Sequence, residues 1–411
     1  MADRNGHTRV LMYSHDTFGL GHLRRTRAIA HALVEQDKDL SVLILTGSPI
    51  IGSFDFRARV DFVRIPGVIK LRNGDYTPLK LHIDIEETLA MRASIIRHTA
   101  EAFNPDLFIV DKEPLGLRGE VEETLRMLKD RGTPLALGLR DVMDEPALLG
   151  PEWERKRAMP AIVELYDEVW AYGLPQICDP LEGVDAPRSV YRKLSYTGYL
   201  ERREQSGLAL SYSLSKFDPP YILVTPGGGG DGEEMVDWVL RAYEHDRDLP
   251  HPALVLLGPF MQTERQAEFI ARAEDLPHVE VITFDAHPEA LIANAAGVVA
   301  MGGYNTFCEI LSFDKPGLII PRTEPRREQF IRAKRAEELG LVKMLDPLGP
   351  RDTSVMATAL RTLPQQSPPS SVVVPGLLDG LKNVNLLAKR LINRPRPSVR
   401  LAENRSARAS K

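Results

Sequence analysis

Cysteine is nearly absent from this chain: Cys178 and Cys308 are its only two, too few for a disulfide framework or a zinc cluster. Long apolar runs are missing as well, and none approaches the roughly 20 residues that a helix needs to cross a bilayer. The opening residues, Met1 to Arg9, are polar and unlike a signal peptide, so the expected setting is a reducing cytoplasm. Neither sign of charge dominates, with 52 Lys and Arg against 57 Asp and Glu, and the net charge of −5 argues against a nucleic-acid partner. A sustained internal repeat is also lacking.

What is present is alternation. A chain of 411 residues exceeds one ordinary core, so two domains are expected. Short apolar segments at Arg9–Ser14, Val42–Leu45, Asp61–Ile65, Leu107–Asp111, Leu135–Leu139 and Glu168–Ala171 alternate with helical patterns. That order predicts a parallel sheet with helices on both faces, and ligands in such sheets sit beyond the carboxyl ends of the strands. His15, Asp16 and His22, then Asp111, Lys112 and Glu113, then Arg140 and Asp141 fall at those ends and form a candidate acceptor cleft. The segment Gly67–Leu81 has little periodicity and reads as a long loop.

The pattern lapses between Tyr196 and Asp218 and resumes with strands at Tyr221–Thr225, Ala253–Leu257, Val279–Phe284, Val298–Met301, Gly317–Ile320 and Leu341–Leu345. The chain is therefore divided at 1–205 and 206–370, two Rossmann-like α/β domains facing across a cleft. The Pro- and Ser-rich stretch LPQQSPPSS reads as a linker, residues 371–393 as a helix with apolar spacing, and residues 394–411 as a basic disordered tail. Any membrane contact is expected to be peripheral, on the inner face and through that tail.

Three glycine turns follow strands and precede helices. Gly19 and Gly21 precede a helix from His22; Gly227, Gly228, Gly229 and Gly230 precede one from Glu233; Gly302 and Gly303 precede one over Tyr304–Phe313. Glycine lets backbone approach a ligand, and helix N-termini present unpaired N–H groups to anions. Asp231, Glu233 and Glu234 also suit the second turn to plain helix capping. A dinucleotide site is disfavoured, because Arg24 stands where a third glycine belongs and the strand at Val42–Leu45 ends without an acidic residue. Asn305 and Thr306 add donors beside the third turn, and Glu309 offers an acceptor-only carboxylate to a pair of ribose hydroxyls. A plain αβ unit with a tight turn would give the same local pattern.

The run Gly302-Gly303-x-x-Thr306-x-x-Glu309, an apolar strand ending in Pro321, and then Arg327-Glu328-Gln329 resembles the donor signature of GT-B glycosyltransferases of family 28. The peptidoglycan GlcNAc transferase and the galactolipid synthases are its best-known members. The resemblance implies that Gly302, Gly303 and Thr306 hold a nucleotide-sugar, that Glu309 binds the ribose, and that Gln329 contacts the sugar. It also implies a last helix crossing back onto the first domain and a His at the mouth of the cleft, a position that His22 matches. Where the peptidoglycan enzyme has an Asn shortly after the Gln, this chain has Arg332, which leaves the hexose open.

Metal-dependent transferases of another fold hold the diphosphate with an Asp-x-Asp pair, seen here only as Asp37-Lys38-Asp39 at a predicted helix end. No metal or cofactor is therefore expected beyond the nucleotide-sugar itself. Arg322, Arg326 and Arg327 cluster beside Gln329 as candidate partners for the diphosphate. His22, at a helix start whose dipole favours the neutral imidazole, is the first candidate base, and Asp111 the second. The expected activity is metal-independent, inverting transfer of a hexose or N-acetylhexosamine from a UDP-sugar to a glycan, lipid or small-molecule acceptor. A nucleotide-sugar hydrolase or 2-epimerase of the same fold, and a non-catalytic nucleotide-sugar-binding protein, remain the alternatives.

Overall fold

The structure, a computed structural model, describes residues 6–15, 21–71, 75–203, 217, 220–228, 230–285 and 288–395. Two parallel sheets organise it. The first-domain strands are β1 (Thr8–Ser14), β2 (Leu40–Thr46), β3 (Val60–Arg64), β4 (Val68–Lys70), β5 (Tyr76–Pro78), β6 (Leu107–Asp111), β7 (Leu135–Arg140), β8 (Glu168–Tyr172) and β9 (Leu194–Tyr196). Seven of them form one sheet in the order β3-β2-β1-β6-β7-β8-β9. The second domain adds β10 (Tyr221–Thr225), β11 (Ala253–Leu256), β12 (Val279–Ile282), β13 (Ala295–Ala300), β14 (Gly317–Ile319) and β15 (Lys343–Met344), in the order β12-β11-β10-β13-β14-β15.

Helices fill both faces of each sheet, so the central strands are apolar on both sides: β6, β7 and β10 carry Leu, Ile, Val and Phe that are almost wholly buried. The first-domain helices are α1 (Gly21–Gln36), α2 (Ile85–Phe103), α3 (Glu122–Asp130), α4 (Pro146–Arg155), α5 (Ala158–Leu165) and α6 (Arg188–Tyr191). The others are α7 (Glu233–His245), α8 (Thr263–Glu274), α9 (Pro288–Asn294), α10 (Tyr304–Ser312), α11 (Glu328–Glu338), α12 (Thr353–Thr362) and α13 (Gly380–Ile392).

The strand orders fix where ligands can sit. In the first sheet the order reverses between β1 and β6, and in the second between β10 and β13. A crevice opens beyond the carboxyl ends at each reversal. His22 and Asp111 stand at the first, Gly227–Gly228 and Gly302–Gly303 at the second.

Three expectations need correction. The segment Gly67–Leu81 is not structureless: β4 and β5 pair antiparallel, Val68 opposite Pro78. The Pro- and Ser-rich stretch is not a free linker, because it forms 3-10 turns at Leu363–Gln365 and Pro369–Ser371 with Leu363 and Pro369 buried. Ser370 also donates its N–H to Asp314 Oδ1 at 2.8 Å. The last helix spans Gly380–Ile392 and not 371–393, since the Tyr199 N–H first bonds Leu377 O at 2.8 Å.

That helix does cross back. α13 packs on α1 of the first domain, burying Val384, Ala388 and Leu391. Its polar side ties down as well: Asn383 Nδ2 donates to Thr197 O at 2.8 Å, and Arg390 and Arg394 reach Glu168 at 2.9 and 3.0 Å. No helix among the described residues is long and apolar enough to cross a membrane.

Candidate active site between the two sheets

His22 is the second residue of α1. Its Nδ1 meets Asp111 Oδ2 in a short contact from the end of β6. Arg25, one turn along the same helix, grips that carboxylate through Nε and Nη2, both at 2.8 Å. Burial would raise the Asp111 carboxyl, but Arg25 and then His22 outweigh it and hold the group well below the usual carboxylate range. Burial pushes the imidazole of His22 down to about 4, Asp111 opposing the shift and Arg25 and Lys112 assisting it. Near neutral pH the pair is therefore a carboxylate and a neutral imidazole, with Nδ1–H aimed at Asp111 and Nε2 left to receive a proton. The two candidate bases are one unit in which Asp111 orients His22.

The residue after Asp111, Lys112, adopts a left-handed conformation with φ of +68° that a side chain with a Cβ rarely accepts. Its N–H bonds Gly138 O at 2.7 Å, and its amine, pushed down to about 8 by burial, lies 3.6 Å from Glu113.

Across the cleft, the second sheet presents its glycine turns. Gly227 has φ of +81°, and its N–H bonds Thr225 Oγ1 at 3.1 Å. Gly302, at φ of +77°, turns β13 into α10, and a Cβ there would lie 2.7 Å from the Ile319 side chain. The following Gly303 faces open space. A cavity of about 340 Å³ runs between the domains, lined on one side by Gly21, His22 and Arg140. On the other side lie Gly227, Gly228, Gly303, Thr306, Glu309, Arg322, Glu328 and Gln329.

Glu309 is buried on α10 and pairs with Arg24 of α1, which also reaches Glu289 at 3.1 Å. Burial pushes the Glu309 carboxyl above its usual range, Arg24 opposing and Glu289 adding to the rise, because two carboxylates share one guanidinium. Gln329 uses its Oε1 to accept from the Arg322 N–H at 3.1 Å. Arg322 in turn bonds Glu328 at 2.6 Å and Asp231 at 2.8 Å, tying the loop before α11 to the glycine turn after β10.

The remaining site residues lie in other roles or outside the described residues. Asn305 spans the domains, its Nδ2 donating to Gly21 O at 3.1 Å and its Oδ1 accepting from Arg202 at 2.7 Å, so its amide is already engaged. Arg327 stands apart from the cavity, paired with Glu145 at 2.8 Å and lying over the Phe330 ring at 5.1 Å. Arg326 likewise crosses to Glu152, at 2.9 and 3.0 Å. Arg332 does not read a sugar: it is fully buried, forms a bidentate pair with Asp141 at 2.6 Å, and donates to Gly302 O at 2.9 Å. Asp16, Gly19 and Gly229 lie outside the described residues. Sequence reasoning missed Arg24 and Glu328 as lining residues. Glu328 had a signal, since it sits inside the Arg327-Glu328-Gln329 run, whereas nothing local marks Arg24.

Residues 246–347 match the family model described as the glycosyltransferase family 28 C-terminal domain. No curated protein matches the sequence. Among solved structures, the chain is similar to the calicheamicin glycosyltransferase CalG4, with a TM-score of 0.59 and 16% identity over 95% of this chain and 100% of that one. It is similar to Medicago truncatula UGT71G1 complexed with UDP-glucose, at 0.59 and 14% over 95% and 100% of the two chains. Acinetobacter baumannii MurG gives 0.56 and 13% over 93% and 99%. At these identities the likeness speaks for the fold, and the family match and the paired crevices speak for the site. The chain has the GT-B fold, and its second domain carries, over residues 246–347, a match to the C-terminal domain of glycosyltransferase family 28.

Proposed function

We propose that this protein transfers a hexose or N-acetylhexosamine from a UDP-sugar to a hydroxyl of a glycan, lipid or small-molecule acceptor, with inversion and without a metal ion. The observation that carries the reading is the His22–Asp111 pair facing, across one cavity, the Gly227–Gly228 turn and, within the family 28 match, Gly303 and Glu309. A neutral imidazole there can take the acceptor proton on Nε2 as the acceptor oxygen bonds the anomeric carbon. The electron pair of the breaking glycosidic bond leaves with the β-phosphate. Single displacement of this kind inverts the centre. The N-terminus of α10 and nearby guanidinium groups supply the positive field that the departing diphosphate needs.

Glu309 is proposed to take the ribose hydroxyls and Gln329, beside Glu328, to contact the sugar. UDP is the favoured nucleotide because the resemblance points to it, and the Medicago truncatula protein was solved with UDP-glucose. The test is a mass-spectrometric screen of nucleotide-sugars with and without glycan, lipid and small hydroxyl acceptors. Acceptor-dependent product with stoichiometric UDP supports the transferase. UDP release that ignores every acceptor marks a hydrolase, and retention of full activity in EDTA is expected.

A further inference from the structure

The cleft holds several buried guanidinium groups, and most are fully paired. Arg25 grips Asp111 and Arg332 grips Asp141, each through two nitrogens. Arg140 is different. It ends β7, lines the cavity with 16% of its side chain exposed, and has a buried Nε with no hydrogen-bond partner. Its nearest carboxylate, Glu328, is 3.9 Å away and already accepts from Arg322 at 2.6 Å. A buried cation left without hydrogen bonds is costly, and such a group is retained where a ligand supplies the missing acceptor.

Its location says which ligand. The next residue, Asp141, is clamped by Arg332, and Arg332 also holds the carbonyl of Gly302, the turn that opens α10. This chain of buried bonds fixes the end of β7 opposite the N-terminus of α10, where an anion is favoured. Burial pushes its guanidinium down to about 10, Glu328 opposing the shift and Arg25, Arg332 and Arg326 adding to it with like charge. The surrounding field therefore also calls for an anion.

We propose that Arg140 is a first-domain catalytic residue that binds a substrate oxyanion across the cleft. The β-phosphate of the nucleotide is its main source, and a carboxylate on the transferred sugar is the other. In the first case Arg140 meets the oxygen that takes the electron pair when the glycosidic bond breaks, so leaving-group stabilisation comes from both domains and only when they face each other closely. This inference rests on the nucleotide-sugar reading above.

The experiment is calorimetric binding of uridine, UDP, UDP-glucose and UDP-glucuronate to wild type, Arg140→Gln and Arg140→Lys, with thermal melting as the control for folding. Loss of charge-assisted bonds to the β-phosphate should weaken UDP roughly ten- to hundredfold in Arg140→Gln and leave uridine unchanged, with Arg140→Lys intermediate. Unchanged UDP together with a wild-type preference for UDP-glucuronate over UDP-glucose that vanishes in Arg140→Gln assigns the sugar carboxylate instead. Wild-type and Arg140→Gln profiles that coincide for all four ligands overturn the proposal while leaving the nucleotide-sugar reading intact. Wild type that binds no UDP overturns that reading and this proposal with it.

Discussion

At the scale of single residues, the His22–Asp111 pair makes the sharpest demand. If Asp111 serves by orienting His22, then His22→Ala and Asp111→Asn should each lower turnover by about 10²–10⁴-fold, and the double variant should lose little more than either. Losses that multiply would mean two independent roles. Because burial pushes His22 down to about 4, the imidazole stays neutral as pH falls past the ordinary value. The acid limb of kcat/KM should therefore lie near 4, and a limb near 6.5 would contradict the buried pair. Glu309 makes a second demand: Glu309→Ala should weaken UDP by about 1.5–3 kcal/mol in calorimetry, as expected for charge-assisted bonds. Arg24 occupies the same carboxylate, so Arg24→Gln removes a competitor and UDP affinity should hold or rise. A fall matching that of Glu309→Ala would move the ribose contact to Arg24.

At the scale of elements, the turn from β13 into α10 separates folding from binding within two neighbouring glycines. Gly302→Ala would force a left-handed backbone and set a Cβ 2.7 Å from Ile319, so a loss of about 1–3 kcal/mol in thermal or urea unfolding is expected. Gly303→Val meets open space at φ of −57° and should melt like wild type, yet its branches enter the cavity and should weaken UDP. Equal melting losses in both would show that the second glycine is structural too. The same turn shows what was legible beforehand. Strands such as Leu107–Asp111 and Tyr221–Thr225 are buried on both faces, so their apolar runs announce them with the right ends. The pair β4 and β5 spans only three residues each, too few to give an alternation to read. The three-residue β9 escapes notice for the same reason of length. His22, Asp111 and the glycine turns were legible because strand ends carry them. The partners of Arg24 and Arg332 were not, because they lie 285 and 191 residues away in sequence.

At the scale of the whole molecule, the two domains are joined by buried charge as well as by α13. Arg332 and Asp141 are both essentially inaccessible, Tyr199 donates to the same carboxylate at 2.7 Å, and Arg332 also caps the Gly302 carbonyl. Such a pair contributes little net stability against an apolar replacement, but breaking half of it strands a charge. Its value here is geometric, since it sets the glycine turn of one sheet against the strand ends of the other. Arg332→Met alone should therefore cost about 3–5 kcal/mol in urea unfolding, while Arg332→Met with Asp141→Leu should recover most of that loss. The recovery should stop at stability. With the clamp replaced by apolar contact, the register between the His22–Asp111 pair and the α10 turn is no longer fixed by hydrogen bonds. Turnover in the double variant should therefore remain well below wild type although UDP, held mainly by the second domain, still binds. Full turnover in a restored double variant would show that α13 and the remaining ion pairs, among them Arg24 with Glu289, Arg326 with Glu152 and Arg327 with Glu145, suffice to hold the cleft.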